Sequence, residues 1–441
     1  MNIEKFRACV LTLSCLASSV PVLARPADSD YSARLAIVLK TTPLIDGHND
    51  LPWGIRTRIP SGLAGIDLRS DTSRIAPPPG ELPLMTDIPR LRVGQVGAQF
   101  WSVWVPVDIH GPEAVQTTFE QIDLVKRMAA RYPADFAMAY TASDIRRIHK
   151  AGKIASLIGI EGGHQINNSL AVLRQMYDAG ARYMTLTHVL NTPWADSATD
   201  SPAHHGLTTF GQEVVREMNR LGMLVDLSHV SPDTMRAALS VSEAPVIFSH
   251  SGARALDDHP RDVPDDVLRL VARNGGIVMV NFNPGYVSAA RNQWDADRAA
   301  EMARFSSAPY DGLYIGQPER AKAALAEWEA QHPKPVTTVA QIADHIEHIR
   351  QVAGVDYVGL GSDFDGIDDT PSGLEDVARF PALLTELMRR GWSDSDVAKV
   401  AGENLLRVMA QTEQVATRLR ASRPISEAVF EPSGQPTTAT R

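Results

Sequence analysis

Cysteine is almost absent. The 441-residue sequence has two, Cys9 and Cys15, and both fall within its first 24 residues. Beyond them neither a disulfide framework nor a thiolate metal site can be built, so any bound ion has to be held by histidine and carboxylate. Long apolar runs are also missing, and none reaches the ~20 strongly apolar residues that a membrane span needs. Basic clusters are missing too: 43 lysines and arginines stand against 52 aspartates and glutamates, for a net charge of −9. With no basic run and no interleaving of aromatic and basic residues, a nucleic-acid partner is not expected. No G-x-G-x-x-G follows the first strand-like run and there is no P-loop, so nucleotide binding has no support. What remains, 44% hydrophobic and 22% charged residues, is the composition of an ordinary globular chain.

Residues 1–24 have the pattern of a cleaved secretory signal: Lys5 and Arg7, an apolar and small stretch from Ala8 to Val20, and small residues ending at Ala24. Lipidation at Cys15 is the competing reading, but Thr12-Leu13-Ser14 makes a poor lipobox. The protein is therefore expected to be exported, periplasmic or secreted, with no stable membrane span. Residues 25–425 read as a single domain. Residues 426–441, polar and rich in Pro and Thr, read as a disordered tail.

Eight short apolar runs follow one another: 43–48, 96–105, 153–161, 183–188, 223–229, 245–250, 276–281 and 357–363. Helix-like stretches separate them. Residues 169–180 are amphipathic and end in Gly180. The others are 209–221, 231–239 with a Ser-Pro start, and 263–274. Strand and helix in alternation imply a parallel sheet, and near-continuous apolar strands imply burial on both faces. Eight such units predict a closed (β/α)8 barrel, an α/β fold of the TIM type. Two segments exceed the minimum: a loop over 51–90 after the first run, and an insert over 285–335 before the eighth, with a helix at 318–331. Residues 373–420 read as closing helices with turn signals near Gly391 and Gly402.

Polar residues end these runs. His48 and Asp50, Glu161, His188, His229, His250 and Asp363 stand at or just past the ends of six of them. In a barrel the carboxyl ends of the strands share one face, so residues distant in sequence meet at one mouth. One such histidine is usually a hydrogen-bonded core residue; six coincidences on one rim argue otherwise. His48 and Asp50, two apart, share a face if the strand persists, whereas Asn49-Asp50 also suits a turn. In Ile160-Glu-Gly-Gly-His164 the glycines permit a sharp turn, and the Glu161 carboxylate has two oxygens with which to bridge two cations. Mixed nitrogen and oxygen donors of this kind suit Zn²⁺, with Mn, Co, Ni and Fe as alternatives. His48, Asp50 and Glu161 on one ion, with Glu161, His229 and His250 on the other, make a two-metal site able to hold a hydroxide.

The motifs HNDLPW, IEGGH, LTHVLNTPWADS, VDLSHVS, PVIFSHSGAR, PRDVPDDVLRLV and VGLGSDFDG together resemble the membrane (renal-type) dipeptidases, peptidase family M19. The resemblance runs from about Leu44 to Met409. It implies two Zn²⁺ per subunit on His48, Asp50, Glu161, His229 and His250, with Glu161 bridging. It implies that His188 polarises the scissile carbonyl, that Asp363 shuttles the proton, and that Arg261 holds the substrate's terminal carboxylate. Arg254 competes with Arg261 for that role. Tyr286 is expected in the substrate pocket and Trp53 is a further candidate; for both, plain packing is an equal alternative. Asp365, His164, Asp46, Asp226 and Asp196 are expected to support the ligands rather than join them. The chain departs from the animal members in lacking inter-chain cysteines and an anchor signal and in carrying the insert.

The sequence thus predicts an exported zinc-dependent dipeptidase acting on free dipeptides through a metal-bridging hydroxide, C-terminal D-residues included. A homodimer is left open. A barrel hydrolase of another amide, lactone or β-lactam is the first alternative, and a non-catalytic exported binding protein the second.

Overall fold

The computed structural model describes residues 28–306 and 312–432. The expected signal segment and Cys15 lie outside the described residues. Among the described residues nine strands appear: β1 Leu44–Asp46, β2 Val96–Trp104, β3 Phe136–Met138, β4 Ile154–Glu161, β5 Ala181–Thr185, β6 Leu224–Asp226, β7 Ile247–Phe248, β8 Ile277–Val280 and β9 Val358–Leu360. All pair in parallel, in the order β2-β1-β9-β8-β7-β6-β5-β4-β3, and a further β2–β4 pairing closes the ring. The closed eight-stranded (β/α)8 barrel expected from the alternation is therefore present.

The ninth strand was not expected. β3 lies outside the eight-strand ring, against the lower half of β4 (Ile154 to Ser156), while β5 takes the upper half (Ile158 to Glu161). Three residues, Phe-Ala-Met, carry no β-branched pattern from which to read a strand.

The helices start where their caps place them. Ser169, Thr208 and Ser231 each accept from a backbone N–H three residues on and open the helices Leu170–Asp178, Thr209–Leu221 and Pro232–Val241. Gly402 corrects the expectation of a turn. It sits in a π-helical turn, Lys399–Glu403, against β1, where an added Cβ would lie 2.1 Å from the Pro43 carbonyl oxygen. Glycine is needed there for close approach, not for a bend.

The insert is a pair of long helices, Ala289–Ser306 and Pro318–Gln331, following a short one at Pro284–Val287. Only the second long helix was legible. Along the first only Phe305 is buried, so no apolar stripe announces it. Of the tail expected to be disordered from 426, the described residues are docked: Phe430 packs edge-on against Phe210, and Ser426 donates to Glu213. No described helix is long and apolar enough to cross a membrane.

Candidate metal centre and active site

The polar residues cluster just beyond the hydrogen-bonded ends of the strands. Glu161 is the last residue of β4, His48 follows β1 by two, and His250 follows β7 by two. His188, His229 and Asp363 each stand three residues past β5, β6 and β9. Past β1 the strand alternation survives as one bridge between Asn49 and Phe364. Asn49 turns away to Thr86, while His48 and Asp50 face the same centre, Nε2 to Oδ2 3.3 Å.

Glu161 is the hub. Its Oε2 lies 3.3 Å from His48 Nε2 and accepts from Ser102 Oγ. Its Oε1 lies 2.9 Å from His229 Nε2 and 3.4 Å from His250 Nε2. His48, Asp50 and Glu161 form one group of donor atoms, and Glu161, His229 and His250 another. A third combination joins His48, His250 and Asp363. The donor set fits divalent cations. His48 Nε2 is buried with no hydrogen-bond partner, and the Nε2 atoms of His229 and His250 approach to 2.9 Å. Imidazole nitrogens and carboxylate oxygens converging on common points are the mixed donor set that a divalent cation takes.

Neighbouring groups fix the rings. His48 Nδ1 meets Tyr183 Oη at 2.8 Å, and His250 Nδ1 meets Ser249 Oγ at 2.8 Å. Ser249 in turn donates to Asp226, which also accepts from Thr185. A proton on each Nδ1 leaves Nε2 free as a ligand. Asp46 holds the start of the β9 loop through Ser362, and burial pushes its carboxyl up to about 6. Tyr183, Ser249, Ser102 and Trp104 escaped the sequence reading. Only Ser249, adjacent to His250, carried a local signal.

His188 lies 3.7 Å from Glu161 Oε1, and its Nδ1 is 3.4 Å from the Trp104 indole nitrogen. An indole N–H can only donate, so Nδ1 is the acceptor and the proton resides on Nε2, toward the centre. Burial lowers the His188 pKa, which favours this neutral ring. Asp363 places Oδ1 3.9 Å from His48 Nε2 and accepts from Asn281 on Oδ2. Burial, joined by the adjacent Asp50 and Glu161 carboxylates, pushes its pKa well up. His229 and Asp363 adopt φ of +67° and +66°, a left-handed backbone costing of order 1–2 kcal/mol for a residue with a Cβ. Such strain concentrates where geometry serves a site.

A cleft of about 300 Å³ opens on this centre, lined among others by Trp53, Trp104, His188, Arg261, Tyr286 and Asp363. Arg261 is 2% exposed, and its Nε and Nη1 have no partner, while Nη2 donates to the His250 carbonyl. Arg254 is bound instead to Asp258 and does not line the cleft. Tyr286 lies 5.5 Å below the Arg261 guanidinium. Of the expected supporting residues, Asp365 accepts from the Met85 amide, and Asp196 accepts from the amides of Ala203, His204 and Gly206. His164 bonds to the Val105 carbonyl rather than to the donor cluster.

Residues 32–423 match the family model of the membrane dipeptidases. The fold is similar to that of a probable dipeptidase, PvdM, from Pseudomonas aeruginosa (23% identity, 88% of this chain, 100% of that one, TM-score 0.71). It is also similar to a metallo peptidase from Rhodobacter sphaeroides crystallised with a phosphinate mimic of the dipeptide L-Ala-D-Ala (22% identity, 84% and 99% covered, TM-score 0.67). A third neighbour is a metallo peptidase of family M19, dipeptidase AC (23% identity, 84% and 99% covered, TM-score 0.67). The match over nearly the whole barrel, with the donor cluster at its mouth, makes this chain a member of the membrane dipeptidase family, peptidase family M19, and a metallo-dipeptidase.

Proposed function

We propose that the enzyme hydrolyses the peptide bond of free dipeptides, those with a C-terminal D-residue included, with two zinc ions held on His48, Asp50, Glu161, His229 and His250. The observation that carries this reading is Glu161, whose two oxygens serve two separate donor groups. Bound there, the ions supply a water nucleophile at neutral pH and polarise the scissile carbonyl. The chain's own residues do the rest. Arg261, buried with two unsatisfied nitrogens, binds the substrate's terminal carboxylate through its planar fork. That contact fixes the distance from the carboxylate to the scissile bond, and a longer substrate, with an amide in place of that carboxylate, forfeits the charge pair. His188 donates from Nε2 to the carbonyl oxygen as charge develops on it. Asp363, with one oxygen tied by Asn281, uses the other to carry a proton to the leaving amine.

Tolerance of a C-terminal D-residue is supported by the structural neighbour that binds a mimic of L-Ala-D-Ala. Export is supported by the composition of residues 1–24. The test is turnover of L-L and L-D dipeptides by zinc-loaded protein, with tripeptides as controls. Dipeptides of both series should be cleaved and tripeptides left intact; failure on every dipeptide, or equal cleavage of tripeptides, contradicts the reading.

A further inference from the structure

The insert opens a second, larger space beside the catalytic cleft. This cavity holds about 820 Å³. Asn283, Tyr286 and Asp368 line both spaces, so the two meet at these residues. The meeting point lies on the side of Arg261. Tyr286 stacks on His259 with centroids 4.4 Å apart and carries the Arg261 guanidinium over its ring. Asn292 of the insert donates to Asp257 at 3.0 Å, tying the insert to the loop that bears Arg261.

The cavity walls are charged, and nearly every charge is matched. Arg291 pairs with Asp295 and Asp369, Lys334 pairs with Asp369 at 2.7 Å, and Arg298 pairs with Glu329 at 2.6 Å. Asp368 is the exception. It is exposed, and among the described residues its side chain has no ion pair or hydrogen bond. A wall of this kind gives an aliphatic group little apolar surface to bury. It leaves one uncompensated negative charge at the junction.

We infer that the insert cavity receives the side chain of the substrate's C-terminal residue, and that Asp368 selects a cationic one, lysine- or arginine-like. The inference rests on the dipeptidase reading and names a substrate class within it. An amine or guanidinium passing Tyr286 meets Asp368 at the threshold, whereas a carboxylate there meets a like charge.

The experiment compares kcat/KM of zinc-loaded enzyme for Ala-Lys, Ala-Ala and Ala-Glu, with the second residue in both L and D forms. The enzymes are the unmodified protein, Asp368→Asn and Asp368→Lys. The unmodified enzyme should prefer Ala-Lys over Ala-Glu by about three- to tenfold, the combined effect of one exposed attraction and one exposed repulsion. The ratio should shrink toward one in Asp368→Asn and invert in Asp368→Lys. A flat profile in the unmodified enzyme, or a lysine preference that survives in Asp368→Asn, overturns the inference while leaving the dipeptidase reading standing. No cleavage of any dipeptide overturns both.

Discussion

Tyr183 and Ser249 turn two imidazoles so that their Nε2 atoms converge on Glu161. Removing the hydroxyl in Tyr183→Phe keeps the ring in place but frees the His48 tautomer. Metal affinity should fall by about 10- to 100-fold, read by competition with a chelator, because that is what loss of an orienting partner typically costs. Trp104 acts on His188 in a similar way. In Trp104→Phe the packing against Trp53, with ring centroids 4.9 Å apart, survives while the N–H is lost. The fall should appear in kcat, by about tenfold, with KM nearly steady, since a donor used as charge develops has been blurred. Arg261 yields a prediction of opposite sign for stability and function. Its buried guanidinium, with Nε and Nη1 unpartnered, costs folding energy, and the proposed role has the substrate carboxylate offset it. Arg261→Met should raise KM by about 100-fold and raise unfolding free energy by ~1 kcal/mol. A variant that is destabilised with unchanged KM would remove Arg261 from substrate binding.

At the scale of elements, the loop after β4 shows why two glycines follow Glu161. Gly162 has φ +121° and a Cβ there would meet the His164 ring at 2.6 Å; a Cβ on Gly163 would lie 2.3 Å from the Leu186 carbonyl oxygen. Gly162→Ala should therefore lower stability by about 1–3 kcal/mol in denaturant titration and disturb the hub carboxylate one residue away. The sharp turn at this loop was legible from its two glycines, and so were the strand–helix alternation, the Ser-Pro helix start at 231 and the insert helix at 318–331. Three features were not. β3 is too short to pattern, the helix Ala289–Ser306 buries one side chain, and Gly402 serves a close contact with Pro43 that no local sequence announces. What was missed depends on partners far along the chain.

The whole molecule gathers donors from β1, β4, β6 and β7 into one mouth, across a span from His48 to His250. That convergence was legible because each donor ends a strand of a fold whose strand ends meet. The hydroxyls and the indole that orient the rings were not legible, because their pairing is set by barrel register: Trp104 comes beside Glu161 only through the β2–β4 alignment. Three carboxylates, Asp50, Glu161 and Asp363, share this mouth with the histidines, so cation binding and folding are linked. A divalent ion at 100 times its dissociation constant should stabilise the protein by about 2.7 kcal/mol, and chelation should remove that gain.

The most direct measurement is metal content per chain, taken together with dipeptide turnover, for the unmodified enzyme and for Glu161→Gln. Two zinc ions per active chain are expected, and in Glu161→Gln a loss of at least one ion together with turnover. Full dipeptide hydrolysis by protein stripped of metal, or two ions and undiminished activity in Glu161→Gln, would contradict the two-metal reading.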